Sequence, residues 1–342
     1  MYSDTFRQLK DIDYYGEEIM TGTKITIAIP TRTNPATLLP LIDCCFEAIS
    51  ASQYSAEIEL LVSINTATPI DDGSLKEMES KCRVVINQDG ESYDEHLDFI
   101  FRVANGEFIK LIGDDDVPSI GFIDELVIEI MANADLSCLV HDFRYYSEEK
   151  DIDRLSQETH DRSGFGSNQL TVHNGQYGQV SCTMFRRLDW LETPSVRATD
   201  YIHAYKFMYL FVRDGSGTVR FLPSKLVSVR PGTPNFSSSN KQRLQTSLRG
   251  LLVHRLIADD LKWSWKNLYL ANKQMLYAAR TLAFAKAVDQ KYFSAQAHNG
   301  LRMFPFLPGA AFFLLVALAP PFLLRLLRFI VRRGMNFRAS RT

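Results

Sequence analysis

Three consecutive carboxylates, Asp114, Asp115 and Asp116, follow an apolar run from Phe108 to Ile112 that only Lys110 interrupts. Aspartate is a poor strand former and adjacent negative charges repel. A cluster of this kind at a strand end therefore calls for a cation or a hydrogen-bonding ligand. Hard oxygen ligands presented together suit Mg2+ or Mn2+, ions that commonly arrive with a diphosphate. The competing reading is a solvated acidic turn ahead of a helix, where carboxylates near the helix N-terminus are favoured. Gly106 and Gly113 bound the apolar run, and Pro118 and Gly121 behind the carboxylates are turn formers. The run has the length of a buried strand, which favours the metal.

Such a strand needs neighbours to hold it. Lys24 to Pro30 alternates β-branched residues and ends at a proline, as a buried strand does before its loop. The loop Thr31-Arg32-Thr33-Asn34-Pro35 leads to Leu38, Leu41, Ile42, Cys45 and Ile49, which sit at helical spacing. Glu57 to Ile64 reads as a second strand and Asn65 to Ser74 as a polar loop, with Asp71 and Asp72 in a solvated turn. Arg83 to Asn87 is a third strand, Tyr93 to Ala104 a helix, and the carboxylate strand comes fourth. Alternation at this spacing predicts an α/β chain with a mostly parallel sheet covered by helices. Ligands of such sheets collect beyond the carboxyl ends of the strands.

Ile27-Ala-Ile-Pro-Thr31, Leu61-Val-Ser-Ile-Asn65, and Ala104-Asn-Gly-Glu-Phe-Ile109 leading into Ile112-Gly-Asp-Asp-Asp116 resemble one known family. They are similar to the nucleotide-sugar domain of family-2 glycosyltransferases with the GT-A fold, and most to the abequosyltransferase-like enzymes of bacterial surface glycans. The resemblance covers Ile25 to Leu126 well and reaches more faintly to about Val229. It implies a Rossmann-like GT-A domain that binds a nucleotide-sugar donor through a divalent metal, Mg2+ or Mn2+. A cation there stabilises the negative charge that the diphosphate gains as the glycosidic bond breaks. Carried over, Asp114 or Asp115 faces the ribose or the metal and Asp115 or Asp116 the metal, while Pro30, Thr31 and Arg32 line the nucleotide pocket.

Two departures stand out. The family usually has an Asp where this chain has Gly113, which leaves the register within the triplet open. It commonly has another at the position of Ile64, where it hydrogen-bonds the base. Here that role falls to Asn65 or to no residue, Ile64 simply continuing the strand. Inverting members also use a carboxylate to take the proton from the attacking hydroxyl. Gly175 to Arg187 resembles the family's segment that faces the acceptor and runs into a helix. Beyond it, Asp200 fits the base by position, just ahead of the apolar helical run Tyr201 to Val212. The plainer reading makes Asp200 a first-turn acid and His203 a packed polar residue.

The rest of the chain suggests where such an enzyme works. After Asp289 there is no acidic residue, whereas Lys291, Arg302, Arg325, Arg328, Arg332, Arg333, Arg338 and Arg341 are basic. With a net charge of -2 overall, that tail points to an anionic surface. Phe304 to Leu324 carries no charge but is broken by Pro305, Pro308, Pro320 and Pro321, and a basic amphipathic segment follows. We expect an interfacial or re-entrant hairpin on anionic membrane in preference to one crossing or a buried core hairpin, and no nucleic acid. The acceptor implied is a lipid-linked (polyprenyl diphosphate) glycan on the cytoplasmic face of the inner membrane. Five cysteines without zinc spacing fit a reducing compartment, and the acidic first twenty residues hold no leader.

The expected organisation is an N-terminal extension over 1–23, a catalytic domain over 24–235 with donor half 24–126 and acceptor half 127–235, a helical region over 236–303 and the tail over 304–342. Pro223 to Asn240, rich in turn formers, reads as a linker. The competing functions are a sugar-nucleotide nucleotidyltransferase and a non-catalytic GT-A-like scaffold. The first needs a Gly-rich turn after the first strand, and this chain has none there.

Overall fold

The computed structural model describes residues 24–32, 35–65, 71–87, 92–145, 179–195, 202–213, 218–229 and most of 252–261. The expected N-terminal extension, Asp200, most of the helical region and the 304–342 tail lie outside them. Eight strands form one sheet in the order β3-β2-β1-β4-β7-β6-β8-β5. The first four are β1 (Ile25–Thr31), β2 (Ile58–Asn65), β3 (Arg83–Asn87) and β4 (Phe108–Leu111), and they pair in parallel. The others are β5 (Val117–Pro118), β6 (Cys138–Tyr145), β7 (Thr183–Arg186) and β8 (Val219–Val229). Here the pairing turns mixed. β7 runs antiparallel to both β4 and β6, β5 runs antiparallel to β8, and β6 and β8 are parallel.

Successive side chains on a strand point to opposite faces, and the sheet buries both. Ile25, Ile27, Ile29, Val62, Phe108 and Ile112 pack with α1 (Pro35–Ala51), α2 (Asp72–Glu79) and α4 (Phe122–Ala132). Ala28, Leu61, Ile109 and Leu111 pack with α3 (Tyr93–Val103), α5 (Arg187–Glu192) and α6 (Ile202–Arg213). Ser92 and Glu95 start α3 with a reciprocal capping box. Gly106 makes the tight approach of β4 to β1 possible, since a Cβ there would lie 2.4 Å from the Thr26 amide nitrogen.

Two sequence expectations need correction. The Asn65–Ser74 loop ends earlier than its composition suggested, because Asp71 accepts from the Ser74 amide at 2.8 Å and caps α2. Part of the expected linker, Pro223 to Val229, is strand. His141 is opposite Leu222 and Asp142 opposite Lys225, so Pro223 and Ser224 fall in a bulge. A proline fits there because no ladder hydrogen bond is asked of it. Among the described residues, no helix is long and apolar enough to cross a membrane.

Candidate active site

β2, β1 and β4 are adjacent and parallel, so their carboxyl ends bring Asn65, Thr31 and the three aspartates to one edge of the sheet. The Ile112 amide extends the β4 ladder to the Ala28 carbonyl at 3.0 Å, and the chain then folds back on itself. The Asp116 amide donates to the Gly113 carbonyl at 3.0 Å, closing a turn with Asp114 and Asp115 at its corners. Thr31 Oγ1 donates to Asp114 Oδ2 at 2.7 Å, which ties the end of β1 to the turn. Asp114 and Asp115 are half-buried, whereas Asp116 is 6% exposed.

The three carboxylates are therefore not equally placed. Among the described residues no group of three His, Cys, Asp or Glu side chains forms a ready metal cage. Mg2+ is usually held by one or two carboxylates, with substrate phosphates completing its shell. Two half-buried carboxylates at the corners of one turn fit a metal of that kind, shared with a diphosphate.

The structure places the remaining expected residues as follows. Pro30 and Thr31 are buried and Arg32 is exposed at the end of β1. Ile64 is fully buried in the core on the α1 face, so it continues the strand and cannot reach a base edge. Asn65, one residue on, is buried at the strand's end. Asp200 falls in 196–201, outside the described residues, but α6 begins directly after that segment. The buried Asp94 carboxylate of α3 accepts from the Ile202 amide at 3.0 Å and fixes the helix start.

Three residues near the site escaped the sequence reading. Ser181, in the short 3-10 helix Val180–Cys182, donates its hydroxyl proton to Asp116 Oδ2 and accepts the Gly113 N–H at 2.7 Å. Lys110, fully buried in β4, donates its ammonium to the Ser181 carbonyl. Burial pushes that ammonium down to about 7, with Cys182 and the Asp116 charge acting the other way. His96 on α3 has Nε2 2.8 Å from Ser63 Oγ. Burial first, and then the Arg32 guanidinium, push this imidazole down to about 4. Lys110 had left a trace in the sequence as the one charge in an apolar strand; Ser181 had left none.

No family model and no curated protein matches the chain. Solved structures do. Residues 1–349 of TarS from S. aureus align at 12% identity over 84% of this chain and 81% of that one, with a TM-score of 0.56. The same TarS segment in complex with UDP-GlcNAc aligns at 11% identity over 84% and 82%, also at 0.56. A mannosyltransferase from Pyrobaculum calidifontis, in complex with GDP-Man and Mn2+, aligns at 13% identity over 91% of both chains, at a looser TM-score of 0.47. The TarS likeness fixes the architecture: the chain has the expected α/β fold of GT-A type, and TarS 1–349 shares it.

Proposed function

We propose that the chain is a metal-dependent glycosyltransferase that moves a sugar from a nucleotide-sugar donor to a lipid-linked glycan, with inversion. The observation that carries this reading is the turn of carboxylates at the end of β4, bound to β1 through Thr31 and Asp114. The fold agrees with it, since TarS 1–349 holds UDP-GlcNAc. Asp114 and Asp115 are the residues that would hold Mg2+ or Mn2+, which supplies positive charge where the diphosphate departs. Thr31 orients Asp114, and Arg32 and Asn65 border the nucleoside. In the transfer, an acceptor hydroxyl oxygen bonds to the anomeric carbon as the bond from that carbon to the diphosphate oxygen breaks. The hydroxyl proton passes to a carboxylate, for which Asp200 is our candidate, and the nucleoside diphosphate leaves with the bonding electron pair. A lipid-linked acceptor at the cytoplasmic face, as in bacterial surface-polysaccharide (O-antigen-like) synthesis, would account for the apolar and basic tail.

The test is metal-dependent hydrolysis of a panel of nucleotide-sugars by the full chain. We expect one donor to be cleaved with Mg2+ or Mn2+ and Asp115→Asn to lower turnover at least about 100-fold with the fold intact. Undiminished cleavage in EDTA would overturn the proposal.

A further inference from the structure

We propose that Ser181 and Lys110 are positioning residues for the carboxylate turn, a clamp that sets which aspartates face a metal. This rests on the metal reading above. A serine hydroxyl has one proton to give. Because Ser181 Oγ already accepts the Gly113 N–H, its proton is directed at Asp116 Oδ2. One hydroxyl thus fixes the backbone at the start of the turn and the side chain at its end. Asp116 is drawn inward, and Asp114 and Asp115 remain at the corners.

The hydroxyl is itself held. Lys110 Nζ donates to the Ser181 carbonyl, and both residues are almost wholly buried. A lysine ammonium in the middle of an apolar strand is costly to desolvate, and the Ser181 carbonyl offsets part of that cost. Gly113 completes the arrangement. A Cβ on it would lie 3.0 Å from Asp116 Oδ2, 3.2 Å from Ser181 Oγ and 3.4 Å from Asp115 Oδ1, so a side chain there would crowd the clamp. That accounts for a glycine at the position where the resemblance leads one to expect an aspartate. Groups that orient a metal's ligands from behind typically cost 10- to 100-fold in metal affinity when removed.

The experiment is Mn2+ binding to the full chain, read from the electron paramagnetic resonance of the free ion, with folding of each variant checked by thermal melting. Wild type should bind and Asp115→Asn should lose affinity. Ser181→Ala should weaken binding about 10- to 100-fold. It should cost less when Asp116 is already Asn, because part of the hydroxyl's effect runs through that carboxylate. Lys110→Met should shift affinity in the same direction as Ser181→Ala. A residue serving only the fold would instead lower the melting temperature and leave Mn2+ affinity at its wild-type value. If Ser181→Ala does not fold, Ser181→Cys takes its place and should show a smaller loss with the same coupling. Wild-type affinity in Ser181→Ala, or full additivity with Asp116→Asn, would overturn the clamp while leaving the metal reading intact. Wild-type affinity in Asp115→Asn would overturn the metal reading and the clamp with it.

Discussion

A histidine sealed against Ser63 cannot carry a proton cheaply, and His96 is only 2% exposed. Its folded value is pushed down to about 4 from the ordinary 6.5, by burial first and by the Arg32 charge second. Between those two values the unfolded chain binds a proton that the folded chain refuses, so stability rises with pH across the window. The contribution is fully present above 6.5 and is lost as pH falls toward 4. At about 1.4 kcal/mol per unit, it amounts to about 3 kcal/mol. His96→Gln should therefore flatten the pH dependence of urea unfolding between pH 4 and 6.5 relative to wild type. Parallel curves for the two proteins would show that the folded chain protonates His96 as readily as the unfolded chain does. Ile64 belongs to the same scale. Being buried, it presents no side chain at the strand's end, where Asn65 follows it.

Elements are tied together by a second buried cation. Lys206 of α6 donates to the Trp190 carbonyl at 2.8 Å and the Thr193 carbonyl at 2.6 Å, and lies 3.9 Å from Asp98 of α3. Asp98 in turn accepts from Trp190 Nε1 and Ser195 Oγ, each at 2.7 Å, and the Trp190 ring stacks on Phe101 at 3.9 Å. Three helices thereby share one polar centre beneath an aromatic cover. Lys206→Met should destabilise the fold by about 3–5 kcal/mol, because it strands a buried carboxylate. Adding Asp98→Asn should recover part of that loss, and urea midpoints measure both. Equal midpoints for wild type and Lys206→Met would show that the pair adds nothing. None of this was legible in the sequence, since Asp98 and Trp190 are 92 positions apart. The strands up to β4 were legible because each alternates or runs apolar between turn formers, which is local information. β8 was misread because Pro223 looks like an ending when the bulge that accommodates it is set by a partner strand. The place of the carboxylates at the end of β4 could be read from pattern, whereas their lock to Ser181 could not.

For the whole molecule, the proposed lipid-linked acceptor calls for a membrane anchor. We expect removal of Phe304 to Thr342 to release a membrane-bound protein that still binds nucleotide, because every residue proposed for the donor site lies upstream. Apolar burial by Phe312, Phe313, Leu314, Leu315 and Phe322 would contribute roughly 25 cal/mol per Å² withdrawn from water. The arginines would add about 1 kcal/mol each at an anionic surface. Changing Arg325, Arg328, Arg332 and Arg333 to Gln should weaken vesicle binding and blunt its salt dependence without abolishing it. Sedimentation with vesicles of anionic and neutral lipid measures both effects, and a truncated chain that still sediments would place the anchor elsewhere. The bond from Ser181 to Asp116 has a different consequence, one of timing. Asp116 leaves the ribosome 65 residues ahead of Ser181. At roughly 5–20 residues per second, that gap lasts roughly 3–13 s. For those seconds the nascent chain carries its three aspartates with no serine to sort them, and β4 has no β7 along its second edge. The proposed donor site would thus be born late, finished by a turn synthesised after residues 24–126 have emerged.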